Sequence, residues 1–160
     1  MLLCQGCALA AVGCEGLNSV PPDVDTGTAG LDTGTPGGTV PVGTPPECTV
    51  VAQPGAAGWS GVSLTDEPQL ADVNGWARVS VGGRTVNIAQ VAADCYVAME
   101  TSCTHEGAVV EYRPDRGQFV CTLHGAVYVN DGTPILGPTE VPLVTYPAAR
   151  DGDTIWVHIG

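Results

Sequence analysis

The chain has 160 residues, with 5 Lys+Arg against 17 Asp+Glu and a formal net charge of -12, which excludes a nucleic-acid phosphate surface as its natural partner. All the basic residues are arginines, none precedes Arg78, and the 22 Gly and 13 Pro exclude a fold of long helices. No uncharged apolar run reaches the length of a membrane-spanning helix, because the opening one stops at Glu15.

Residues 1–17 form the first unit. Leu2 to Gly13 carry no charge and end in Ala11-Val12-Gly13 before Cys14. A short apolar segment followed by small residues and a thiol resembles a bacterial lipoprotein signal, with Cys14 lipidated and the protein held on the periplasmic side of a membrane. Residues 18–47 are a linker: 6 Thr, 6 Gly and 6 Pro occupy 18 of these 30 positions, and Asp-Thr-Gly-Thr occurs at 25–28 and 32–35. So few large apolar groups cannot offset the entropy of ordering, and disorder is expected, with a coil span of about 30 Å.

Residues 48–160 are predicted to form the single globular head, a small all-β domain. Trp76 to Val81 and Arg84 to Ile88, joined by Gly82-Gly83, read as a hairpin. Val109 to Tyr112 and Gln118 to Cys121 read as a second, turning through Arg113-Pro114-Asp115-Arg116-Gly117. Asn130-Asp131-Gly132 and Asp151-Gly152 mark further turns, and Thr154 to Ile159 a final strand. Trp59, Trp76 and Trp156 are assigned to packing and His158 to the surface.

Chemistry concentrates at Cys103-Thr104-His105 and, after fifteen intervening residues, Cys121-Thr122-Leu123-His124. Each cluster offers a soft thiolate and an imidazole, and the second hairpin brings them together as four metal ligands. Zinc uses the same ligand types, so a structural zinc-binding interaction domain stands as an alternative at this point.

The spacing, together with CTHEG, CTLHG and the later Gly137-Pro138 and Pro142-Leu143, resembles the Rieske iron–sulfur family. The resemblance implies an antiparallel β sandwich with a cluster-binding subdomain, and a 2Fe–2S cluster held by Cys103 and Cys121 on one iron and His105 and His124 on the other. Two ferric ions, two sulfides and two thiolates carry no net charge, so an electron is accepted more easily than by an all-thiolate cluster. It also implies that Gly107 and Gly125 let backbone N–H groups approach the sulfurs, that Gly137 and Pro138 lie in a covering loop, and that the Tyr128 hydroxyl bonds the Cys103 sulfur. Ala108 and Leu123 stand where high-potential members of cytochrome bc complexes have a loop disulfide, and Ala126 where they have a serine. Each missing hydrogen bond to sulfur lowers the potential, which is expected at roughly -150 to +150 mV.

Cys48 and Cys95 remain, either as a disulfide or as a buried thiol and a free one. The functional expectation is a tethered, monomeric electron carrier rather than a catalyst, with no catalytic residues. It exchanges electrons with redox proteins such as a c-type cytochrome or a membrane oxidoreductase. A cluster-based redox sensor shares every feature of the sequence.

Overall fold

The computed structural model describes residues 48–160, all within one compact unit, and the expected signal segment, Cys14 and the linker lie outside the described residues. Eleven strands and one short 3-10 turn (Pro68–Ala71) make up three antiparallel sheets among the described residues.

The central sheet joins β2 (Trp76–Val81), β3 (Arg84–Ala92), β4 (Cys95–Glu100) and β9 (Thr145–Tyr146) in the order β2-β3-β4-β9. Its register, Val81 against Arg84 through Trp76 against Ala89, reproduces the expected first hairpin, with β3 running further than the sequence suggested. The residues of β4 from Cys95 to Met99 are all buried, because both faces of the strand are covered. Tyr96 and Ala98 pack into a core with Leu70, Val86, Ile88, Ile155 and Val157, whereas Val97 and Met99 pack with Val110, Tyr112, Phe119 and Tyr128. The period of two along a strand thus feeds two cores from one sheet.

One outer sheet, β1-β11-β10, is built from β1 (Trp59–Ser63), β10 (Ala148–Asp151) and β11 (Thr154–His158). His158 is half-buried with its ring 5.4 Å from that of Trp59, a packing role with no nearby metal-ligand partner among the described residues. The three tryptophans are at most half-buried, and Trp76 packs at the edge of the second core.

The other outer sheet, β5-β6-β7-β8, comprises β5 (Val110–Arg113), β6 (Gln118–Cys121), β7 (Val127–Tyr128) and β8 (Pro134–Leu136). Asn87, fully buried on β3, donates from Nδ2 to the Val110 carbonyl at 2.8 Å and so ties this sheet to the central one.

Cys48 and Cys95 form a disulfide with Cα atoms 5.4 Å apart, which decides between the two readings of these residues. It joins the first described residue to the start of β4 across 47 positions. Closing a loop of that length restricts the unfolded chain, an effect of about 2–4 kcal/mol. The Cys48→Ala, Cys95→Ala double variant is therefore expected to melt roughly 10 °C lower. A calorimetric scan that leaves the transition unmoved would show that the cross-link adds nothing to stability.

Candidate metal centre

The β5–β6 hairpin carries both cysteine-histidine segments at its open end. Its ladder runs from Arg113 against Gln118 to Val110 against Cys121, and a bridge between Ser102 and Val109 extends it toward the first segment. Each segment then closes on itself in the same way. The Cys103 N–H donates to Ala108 O and the Cys121 N–H to Ala126 O, both at 2.8 Å. Gly107 N–H returns to Cys103 O at 2.8 Å, and Gly125 N–H to Cys121 O at 3.2 Å. The two glycines share nearly the same left-handed φ, 70° and 68°, which is why glycine stands at both. Their own N–H groups bond cysteine carbonyls, and a Cβ on either meets no protein atom closer than 3.6 Å, so among protein atoms it is the turn conformation that calls for glycine.

This shared closure sorts the four candidate ligands by environment. The thiols of Cys103 and Cys121 point inward, at 4% and 3% exposure, while His105 and His124 lie exposed at the tip. The two Nδ1 atoms converge to 3.3 Å with their rings edge to face. Two nitrogens that far apart, each at the roughly 2.0–2.1 Å usual for an imidazole–metal bond, subtend about 105° at a common ion, close to tetrahedral. The donor set therefore fits a group with a buried thiolate-bound end and an exposed imidazole-bound end, as a two-iron cluster requires.

The surroundings favour thiolate at Cys103. Burial alone would push this thiol up. Against burial stand hydrogen bonds from the Tyr128 hydroxyl, the N–H groups of His105 and Glu106, and Cys121, and together they bring it below its ordinary range. Tyr128 is fully buried, its hydroxyl is 3.2 Å from Cys103 Sγ, and burial, then the bond to Cys103, raise its pKa, so it stays a proton donor.

A third loop packs over the first two. Gly137 has φ of 106°, and a Cβ there would lie 2.5 Å from Ala126 Cα, so only glycine lets this loop press against the second segment. Thr104 holds it to the first segment, donating to Val141 O at 2.8 Å and lying 3.1 Å from Thr139 Oγ1. Pro138 is exposed, and the recorded contacts of the loop run through its neighbours.

Two participants were not singled out in the sequence. Glu106 places its carboxylate 3.9 Å from His105 Nε2 and 3.8 Å from His124 Nδ1, and its position inside CTHEG was the available signal. The Thr104–Thr139–Val141 contacts join residues up to 37 positions apart, and no local pattern announces them.

Comparison with known proteins supplies the context. Residues 62–147 match the model of the Rieske [2Fe-2S] domain. Subunit 2 of the chloroplastic cytochrome b6-f complex iron-sulfur protein from Nicotiana tabacum is 28% identical over 127 residues, covering 70% of this chain and 56% of the relative. The corresponding subunit from Chlorobaculum thiosulfatiphilum is 40% identical over 58 residues, 36% of this chain and 32% of that protein. The chain thus spans between a third and just over half of these relatives. Among solved structures, the cyanobacterial plasma membrane Rieske protein from Synechocystis PCC 6803 superposes with a TM-score of 0.50 at 25% identity, over 59% of this chain and 93% of that one. The ferredoxin of carbazole 1,9a-dioxygenase from Nocardioides aromaticivorans IC177 has the same fold, with a TM-score of 0.52 at 21% identity over 63% and 96% of the two chains.

Proposed function

The chain belongs to the Rieske [2Fe-2S] domain family, whose cofactor is a Rieske-type 2Fe–2S cluster, and we propose that it serves as a tethered one-electron carrier with Cys103, His105, Cys121 and His124 as the cluster ligands. The observation that supports this most directly is the convergence of the two exposed Nδ1 atoms to 3.3 Å, each on a segment whose cysteine is buried. When bound, the cluster supplies a site that takes up and releases single electrons. Cys103 and Cys121 would hold the inner iron, and His105 and His124 the outer one, where the imidazole edges provide a short route to solvent. Tyr128, protonated and 3.2 Å from Cys103 Sγ, steadies the negative charge that arrives there. Family membership favours iron and sulfide over the zinc alternative.

The tip also has the character of a docking face for an electron-transfer partner. Leu123 beside His124, and Leu136 and Val141 at the third loop, are 56–60% exposed, with Glu106 against the histidines and Glu140 in the loop. No Lys or Arg occurs between Thr85 and Tyr112 or between Gly117 and Ala149. Exposed apolar side chains with acidic and no basic neighbours suit a basic redox protein such as a c-type cytochrome, or a membrane oxidoreductase with a basic face. No helix among the described residues is long and apolar enough to cross a membrane. Attachment to the periplasmic side of a membrane is proposed through Cys14, on the strength of the sequence pattern.

Reduced wild-type protein is expected to give a rhombic electron paramagnetic resonance signal, and the Cys103→Ser and His124→Ala variants to lose it. Retention of the signal in either variant would remove that residue from the ligand set. Glu106→Gln deletes a charge beside both imidazoles, so it should raise the midpoint potential and slow electron exchange with a basic cytochrome, the slowing fading as salt screens the surface. Rates indifferent to both the substitution and the salt would count against the acidic docking face. The mass of the N-terminal peptide from the native host decides the anchor: a diacylglycerol adduct on Cys14 is expected, and an unmodified Cys14 thiol would refute it.

A further inference from the structure

The hydroxyls beneath the third loop have one proton fewer than their contacts require. Tyr128 Oη lies 3.2 Å from Cys103 Sγ and 3.0 Å from Thr104 Oγ1. Thr104 Oγ1 lies in turn 3.1 Å from Thr139 Oγ1 and 2.8 Å from Val141 O. Thr139 Oγ1 already accepts the Val141 N–H at 3.1 Å, which leaves its proton for Thr104. These four contacts have three hydroxyl protons among them.

In the free chain a Cys103 thiol can supply the fourth. Once Cys103 is a cluster ligand, as proposed above, its sulfur only accepts, and Tyr128 must donate to it. The Val141 carbonyl also only accepts. Thr104 is left with a single proton sought by both Tyr128 Oη and Val141 O, and whichever loses faces an oxygen without a hydrogen between them.

We propose that Thr104 is a positioning residue whose contested proton links the charge at Cys103 to the hold on the third loop. An electron arriving from a redox partner makes the Cys103 sulfur more negative and draws the Tyr128 proton toward it. A hydroxyl that donates more strongly accepts more strongly, so the Thr104 O–H swings from Val141 O toward Tyr128 Oη. No bond to hydrogen breaks: the proton stays on Oγ1 and rotates about Cβ–Oγ1, and the electron later leaves to an oxidised partner. The residues released are those of the docking face, since Val141 is 58% exposed and the loop borders a surface cavity of about 360 Å³ lined by Leu136, Glu140 and Pro142. By reciprocity, a partner that presses on this loop must shift the potential.

The experiment is hydrogen exchange of the peptide covering residues 137–144 in the full-length, cluster-loaded protein, oxidised and dithionite-reduced, for wild type, Tyr128→Phe, Thr104→Val and Thr104→Ser. Wild type is expected to exchange severalfold faster when reduced. Tyr128→Phe removes the competing acceptor and should keep the loop protected in both states, whereas Thr104→Val should exchange fast in both. Thr104→Ser should restore the wild-type difference, and carries the test with Tyr128→Phe if the valine variant fails to hold its cluster. Thr104→Val, where it loads, and Tyr128→Phe should each weaken reduction about three- to tenfold, which is roughly 30–60 mV at about 59 mV per tenfold for one electron. Equal exchange in both redox states of wild type, or a redox difference that survives in Tyr128→Phe, overturns the inference. Loss of the resonance signal in Cys103→Ser alongside such a result would sink this inference alone, while a signal retained there would sink the ligand assignment beneath it.

Discussion

Everything at the tip depends on two hydrogen bonds repeated in two places: a cysteine N–H to the carbonyl five residues on, and its carbonyl to the glycine N–H four residues on. In each segment this closure turns the thiol inward, between β-strand ends, and leaves the following histidine outside. The histidines stand two and three residues after their cysteines, so the segments are not identical, yet their Nδ1 atoms meet. A site divided into a buried sulfur half and an exposed imidazole half follows from backbone geometry before any metal chemistry is invoked.

That geometry needs a rigid mount, and the central sheet provides it. Because β4 is buried on both faces, the strand that leads into the first cysteine segment is locked between two cores and cannot slip by one residue without sending Tyr96 and Ala98 into the core shaped for Val97 and Met99, and the reverse. The disulfide fastens the start of the same strand, and Asn87 fastens the hairpin that carries the second segment. The buried amide is left with Oδ1 unpartnered among protein atoms, a cost accepted in return for registering one sheet on another.

The third loop completes the site by contact rather than by ligation. Gly137 fits against Ala126, and Thr104 reaches across to Val141, so the loop is set by both segments at once. Tyr128 is where these connections meet the sulfur, and its burial keeps it a donor. Ala126 gives the small surface on which the backbone of Gly137 rests.

Much of this was legible in one dimension. Both hairpins came from local alternation and turn residues, the four candidate ligands were singled out because their residue types are scarce enough for spacing to be informative, and the Tyr128 contact came from the family resemblance. At Gly107 and Gly125 the structure adds a positive φ to the expected approach of backbone N–H groups to sulfur, a backbone property that composition does not reveal. Cys48 and Cys95 were a pair only in arithmetic until the fold set their Cα atoms 5.4 Å apart. The sequence by itself determined the chemistry of the donors and the strands that bear them, because both are encoded within a few residues of each other. Only the tertiary structure decided that Glu106 would lie against both imidazoles and that Thr104 would be shared between Tyr128 and Val141. Those contacts arise where three loops from different parts of the chain meet, and their distances are set by the packing of whole sheets rather than by any neighbour in sequence.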